Sequence, residues 1–229
     1  MAEPRAVRAV VFDMDGVIVD SEPLWHAVEQ DVFARLGTPI TLAQCLETTG
    51  LRIDELVLHR WERQPWTGGQ SRDAVGRMII DGMVSRLRAG APAMAGLREA
   101  LAFLQSRGLP LAVASSSPLE LIHACLEGLG IASCFSHVCS ATAEPLGKPH
   151  PAVYLTAARL LGVPARDCLA IEDSFNGALA AKAARMRCLA VPDLRLLTDL
   201  GELSRFAFCD GVLPSLHALD EHLWAKLNR

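Results

Sequence analysis

Apolar and polar positions follow two different rhythms along the chain. A valine-rich run from Val7 to Phe12, broken only by Arg8, stops at Asp13, Asp15 and Gly16 and predicts a buried strand. From Pro23 to Leu36 the apolar residues Leu24, Trp25, Val28, Val32, Phe33 and Leu36 recur at helical spacing, and Gly37 ends the run. Arg52 to Trp61 and Ser71 to Leu87 read as helices too, separated by the turn-rich Q-P-W-T-G-G-Q, so residues from about 20 to 90 form a helical block with no evident strand. The rhythm then alternates. Strands are predicted at 109 to 114, around Phe135 to Cys139, at 167 to 171 and at 187 to 191. Between them lie predicted helices at Gly96 to Ser106, Pro118 to Leu129, Pro151 to Leu161 and Ser174 to Ala184. Strands alternating with helices of this length predict a parallel sheet covered on both faces. The expected fold class is therefore α/β: a doubly wound, Rossmann-like parallel-sheet core carrying an inserted all-helical cap domain. Residues 1–19 and 90–229 form the expected core and 20–89 the expected cap.

Composition narrows the picture without changing it. The 229 residues are 51% hydrophobic and 21% charged, values of an ordinary globular protein. No apolar run approaches the ~18 residues of a membrane span, and Arg8 and Asp13 interrupt the first apolar segment before it could serve as a signal-peptide core. A cytoplasmic location is expected. Seven scattered cysteines without a C-x-x-C pair point to buried thiols, not to zinc or a disulfide framework. A net charge of −4 gives no electrostatic reason to expect nucleic acid or a membrane surface, which leaves a small molecule as the partner. Of 22 basic residues only Lys148, Lys182 and Lys226 are lysines, so each deserves inspection.

Polar chemistry collects where strands are predicted to end: Asp13 with Asp15, Ser115 with Ser116, Lys148 in the loop G-K-P-H-P, and Glu172 with Asp173. Each has an ordinary alternative. The serines could cap the helix after Pro118, Lys148 could be a loop charge, and Glu172 and Asp173 could cap the helix from Ser174. Together they argue for a site, because strand ends of a parallel sheet point one way and can converge on one crevice. Several carboxylates there would repel one another unless a hard cation such as Mg²⁺ joined them, while a hydroxyl and a lysine supply a donor and a positive charge for phosphate.

The stretches D-M-D-G-V-I-V-D-S-E, the serine after L-A-V-A, K-P-H-P and I-E-D-S-F-N-G resemble the four motifs of the haloacid dehalogenase superfamily of phosphotransferases. The helical insertion after the first motif is similar to that of the β-phosphoglucomutase-like subfamily. Within it T-G-L-R-I-D-E-L-V-L-H-R-W-E-R-Q-P-W and the later K-A-A-R-M-R resemble the branch of bacterial 2-deoxyglucose-6-phosphate and hexitol-phosphate phosphatases. The resemblance implies an Mg²⁺-dependent hydrolysis of small sugar phosphates. It implies Asp13 as nucleophile, Asp15 as general acid and base, and Ser115 and Lys148 on the phosphoryl group. Mg²⁺ would sit on Asp13, the backbone carbonyl of Asp15 and Asp173, with Glu172 behind them.

Ser116, Arg52, Arg60, Arg63, Trp61, Trp66 and Asn176 are further candidates for substrate contact. Two alternatives remain at this level, a β-phosphoglucomutase-type mutase and a signalling domain that accepts phosphate without metabolic turnover. Against the first, Trp25 falls where a mutase carries a linker histidine, with His26 one residue late, and Ile53 falls where it carries a cap arginine, with Arg52 one early. One residue on a helix is about 100° of rotation. Against the second stand the D-x-D pair and the long helical insertion.

Overall fold

The computed structural model describes residues 6–48, 51–195 and 200–228. Six strands, β1 (Ala9–Phe12), β2 (Leu111–Ser115), β3 (His137–Ser140), β4 (Cys168–Glu172), β5 (Arg187–Ala190) and β6 (Gly211–Val212), form one sheet. Its order is β3-β2-β1-β4-β5-β6 and all neighbours are parallel. The chain steps outward from β1 through β2 to β3, then crosses back to place β4 on the other side of β1. That reversal makes the end of β1 the switch point of the sheet, where open α/β folds bind ligands. Register levels the tips: Phe12 stands opposite Val113 and Ile171, so the residues after β1 meet those ending β2 and β4.

Side chains of successive strand residues point to opposite faces, and here the two faces differ in size. Val10, Phe12, Leu111, Val113, Leu169, Ile171 and Leu189 face one way, into a core shared with α5 (Leu97–Gln105), α6 (Leu119–Gly128) and α9 (Glu221–Leu227). Ala9, Val11, Ala112, Ala114, Cys168, Ala170, Cys188 and Ala190 face the other, against α7 (Ala152–Leu160) and α8 (Phe175–Ala183). The second face is built of small residues, so its helices can lie close to the sheet.

Between β1 and α5 come four helices, α1 (Glu22–Arg35), α2 (Leu42–Glu47), α3 (Ile53–Arg63) and α4 (Arg72–Gly90). Both α1 and α3 pack on α4, and α4 in turn lies along α6, where Arg77 pairs with Glu120 at 2.7 Å and Arg88 with Glu127 at 3.4 Å. None of the described helices is long and apolar enough to cross a membrane. Three elements go beyond the pattern analysis. The six-residue α2 is too short to show periodicity, although its Thr41–Gln44 capping box is written in the sequence. The two-residue β6 and the short α9 fall below the same limit.

Two of the candidates for substrate contact, Arg60 and Trp66, are engaged in packing within the helical block. Trp66 is buried and packs edge-on against Trp61 at 4.5 Å between ring centroids, with Phe33 behind it. Arg60 is 4% exposed: it reaches from α3 to the end of α2, donating to the carbonyl of Gln44 and to Thr48 Oγ1 at 2.8 Å. Arg63 lies against His59 on the exposed side of α3. An amphipathic helix makes such positions look available; helix packing buries Arg60 and Trp66.

Glu29, 4% exposed on α1, is buried beside Arg60 without a hydrogen-bond partner for its Oε2 among the described residues. Burial pushes its carboxyl up to about 7 from an ordinary 4.5, against the pull of Arg60. The folded chain therefore holds a proton more tightly than the unfolded one, and the associated stability, complete below pH 4.5, is lost as pH rises through 7. Glu29→Gln, which mimics the protonated acid, is expected to stabilise the protein at pH 8 by about 1–3 kcal/mol and to have little effect at pH 4. Urea denaturation at the two pH values checks this. A less stable variant at pH 8 would mean that the attraction of Arg60 outweighs desolvation.

Candidate active site

The end of β1 delivers Asp13 into the gap between β2 and β4. Its N–H bonds to the carbonyl of Ile171 at 2.9 Å, and the residue is 7% exposed. Lys148 enters from the loop before α7 and is nearly as buried. Its Nζ donates to Asp13 Oδ1 at 2.7 Å and to Glu172 Oε1 at 2.6 Å. Glu172, fully buried at the tip of β4, also accepts from Tyr154 Oη at 2.8 Å. Its Oε2 accepts from the backbone N–H and hydroxyl of Ser174 at 3.1 and 3.0 Å. Both its oxygens are thus engaged, as a buried carboxylate requires. Ser174 also caps α8, accepting from the N–H of Gly177 at 3.1 Å.

Asp173 completes the cluster: one oxygen each from Asp13, Glu172 and Asp173 lies within 4.8 Å of the others. One ammonium faces three carboxylates. Burial pushes the Asp13 carboxyl up to about 7, with the charges of Glu172 and Asp15 adding to the rise and Lys148 opposing it. Asp173 is held well above the usual carboxylate range by burial and then by Glu172 and Asp13. Burial alone would lower Lys148, but its two carboxylate partners overcome it and keep the ammonium charged.

The missing positive charge fits a hard divalent cation. The donors are all oxygens, and with Glu172 saturated the carboxylates left to ligate are those of Asp13 and Asp173. Two glycines make room for this crowding. A Cβ on Gly16, whose φ is +75°, would fall 2.2 Å from Asp173 Oδ2, and one on Gly177 would fall 1.7 Å from Glu172 Oε1.

Asp15 points elsewhere. Its Oδ1 accepts from Ser21 Oγ at 2.6 Å and its Oδ2 from Ser117 Oγ at 2.7 Å. Ser117 is fixed in turn, its N–H bonded to Ser115 Oγ at 3.0 Å and its carbonyl to Ser140 Oγ at 2.6 Å. A metal contact from Asp15 would therefore come from its backbone.

The structure brings together Asp13, Lys148, Glu172 and Asp173, with Asp15 and buried Ser115 alongside. Ser116 is exposed next to Ser115, and Asn176 is exposed in the first turn of α8. Arg52 is the N-cap residue of α3, its side chain 64% exposed and paired to Asp54 at 3.3 Å. Thr49 and Gly50, which begin the cap stretch quoted above, lie outside the described residues. Ser21, Ser117, Ser174 and Tyr154 escaped the sequence reading. Ser21 and Ser174 sit inside stretches already quoted, Ser117 follows directly on Ser115 and Ser116, and Tyr154 is the one tyrosine of the chain.

Gly16→Ala is expected to cut turnover about 100-fold or more, because the new methyl group must displace Asp173 and the backbone conformation disfavours any Cβ. Far-ultraviolet circular dichroism should remain that of the wild type, and a variant with normal turnover would refute the crowding argument.

The geometry agrees with what comparison with known proteins finds. The family model of haloacid dehalogenase-like hydrolases matches residues 7–185. Hexitol phosphatase B of Escherichia coli is 42% identical over 220 residues, covering 96% of this chain and 97% of its own. Phosphoglycolate phosphatase of Yersinia pseudotuberculosis is 31% identical, covering 83% of each chain. Among solved structures, a variant of CbbY from Rhodobacter sphaeroides in complex with xylulose-(1,5)bisphosphate superposes with a TM-score of 0.83 at 25% identity, covering 97% of this chain and all of that one. The β-phosphoglucomutase of Clostridium difficile shares the fold, with a TM-score of 0.77 at 23% identity. With the motif residues gathered at one switch point and the matched model spanning most of the sequence, this chain belongs to the haloacid dehalogenase-like hydrolases.

Proposed function

We propose that the chain is a phosphoric monoester hydrolase acting on small sugar phosphates of the hexose, hexitol or 2-deoxyglucose 6-phosphate type, with Mg²⁺ as cofactor and an aspartyl-phosphate as intermediate. The observation that carries the reading is the buried Lys148 bridging Asp13 and Glu172 beside Asp173. Lys148 pins one oxygen of Asp13 and leaves the other to attack phosphorus in line. Asp13 would take the phosphoryl group as an acyl phosphate while the bond between phosphorus and the sugar oxygen breaks. Asp15 would protonate the departing sugar oxygen and then take a proton from the attacking water. Ser115 and Lys148 would hold the phosphoryl oxygens, and Ser116 and Asn176, exposed at the rim, are placed to meet the substrate. Asp13, Asp173 and the carbonyl of Asp15 would hold Mg²⁺, which when bound supplies positive charge against the phosphoryl oxygens. Residues 20–89 would serve as the cap that covers the site, on a core of 1–19 and 90–229. The substrate class rests on the resemblance to hexitol phosphatase B.

Packing favours water over a second sugar as acceptor. Trp25 and Ile53, at the positions where a mutase would need a histidine and an arginine, are partly buried apolar residues set against the core. The mutase reading therefore has no group at either place.

Asp13→Asn is expected to lower turnover at least 1,000-fold with the fold intact, since an amide is no anionic nucleophile. Chelation should abolish activity and Mg²⁺ restore it. Phosphate release from a panel of phosphorylated hexoses, hexitols and deoxy forms reads both effects and ranks the substrates. Full activity in metal-free buffer would sink the cofactor assignment. With glucose 1-phosphate and a trace of the 1,6-bisphosphate, glucose 6-phosphate accumulating faster than inorganic phosphate would make the enzyme a mutase.

A further inference from the structure

Away from the catalytic pocket two cysteines stand side by side. Cys188 lies on β5, where its N–H donates to Asp210 Oδ2 and its carbonyl accepts from the Asp210 N–H, both at 2.8 Å. Cys209 directly precedes Asp210, so the β5–β6 pairing carries both thiols on adjacent chains, and their sulfurs are 3.9 Å apart. Among the described residues no other two cysteine sulfurs are in contact. The register carries Asp210 opposite Cys188, so Cys209 stands one residue out of step with it, and closure requires the sulfurs to approach from 3.9 Å to about 2.05 Å. The necessary movement falls on Cys209, which sits between the end of a 3-10 turn (Leu200–Phe206) and the two-residue β6.

The two thiols are not equivalent. Cys188 is fully buried on the small-residue face of the sheet, whereas Cys209 is half-buried and reachable from solvent. Lys182 stands beside them, its Nζ donating to Asp210 Oδ2 at 2.8 Å. Contact with the Cys188 thiol, together with the Lys182 charge, holds Cys209 below the ordinary thiol range, while Cys188 is raised above it by contact with Cys209 and by burial. An accessible thiolate former next to a sheltered thiol is the arrangement of an attacking and a resolving cysteine.

We propose that Cys188 and Cys209 form a reversible dithiol–disulfide site whose oxidant is a small disulfide of the glutathione type. The Cys209 thiolate attacks one sulfur of the oxidant, breaks its S–S bond and releases one thiolate, leaving a mixed disulfide on Cys209. Cys188 then attacks the Cys209 sulfur, the intramolecular bond forms and the second small thiolate leaves. The two protons lost by the protein thiols end on the two released thiols, so the protein is oxidised by two electrons and the oxidant reduced by two. The product ties the outermost strand to β5, whose Cys188 stands opposite Ala170 of β4.

The native chain of 229 residues, incubated with oxidised glutathione, should lose free thiols from seven to five, and dithiothreitol should restore them. Trypsin should then yield the fragment 188–195 joined to 206–226, two hydrogens lighter than the separate peptides. Cys188→Ala should trap a stable mixed disulfide on Cys209, and Cys209→Ser should take up no oxidant at this pair. The proposal is overturned if the wild type keeps all its thiols, if a mixed disulfide on Cys209 persists unresolved, or if other cysteines pair instead. None of these readouts depends on phosphatase activity, so they stand or fall separately from the proposed function.

Discussion

A carboxylate that leaves water must be met by donors, and Glu172 has no access to water at all. Four donors from three segments meet it: Lys148 from a loop, Tyr154 from α7, and the N–H and hydroxyl of Ser174 from the cap of α8. This one satisfied acid fixes much of the surrounding structure. It orients Lys148, and Lys148 then has a single direction in which to reach Asp13. It also ties the start of α8 to the tip of β4, and it requires a glycine at 177 because no side chain fits beside its Oε1. Removing Lys148 would leave a buried charge unpaired, and removing Tyr154 or Ser174 would leave a carboxylate oxygen short of a donor.

The two faces of the sheet divide the labour. On the face of larger residues Phe12, Val113 and Ile171 lock β1, β2 and β4 into a rigid floor with α5 and α6, so the three strand tips keep their relative heights. On the other face alanines and cysteines let α7 and α8 come close, and these helices bring Tyr154 and Ser174 to Glu172. A bulkier residue at Ala170 or Ala190 would push α8 outward and with it the cap of the helix that holds the acid.

The sequence made the sheet, the insertion and the acidic tips legible because each is encoded locally. Strand runs and helix periods are short-range patterns, and Asp13, Asp15, Lys148, Glu172 and Asp173 all stand at or beside the end of such a run. What escaped depends on approach in space. Ser117 differs from Ser115 and Ser116 only in the direction its hydroxyl takes after the strand ends, and Tyr154 joins the cluster only because α7, packed across β1, β2 and β3, brings its hydroxyl to Glu172. The cap candidates show the same limit. Arg52, Arg60 and Trp66 are residue types common both at binding surfaces and in helix packing; Arg52 stands at the N-cap of α3 in solvent, and Arg60 and Trp66 fill the interior of the helical block. Composition cannot separate these fates, because a buried arginine and an exposed one have the same helical period.

Asp15 is hydrogen-bonded both to the start of the helical block and to the sheet. One of its oxygens is held by Ser21, the residue that precedes α1, and the other by Ser117, which follows β2 in the sheet. Both bonds are short and charge-assisted, the stronger class of hydrogen bond. Ser117 is anchored to Ser115 and Ser140 and cannot follow a moving helix. A displacement of α1 relative to the sheet must therefore lengthen the bond to Ser21 before it disturbs the bond to Ser117. The carboxylate then gains a free oxygen, and its swing is set by the one bond that remains. Asp15, proposed above as the acid and base, is thus tied to the start of α1 as well as to the sheet.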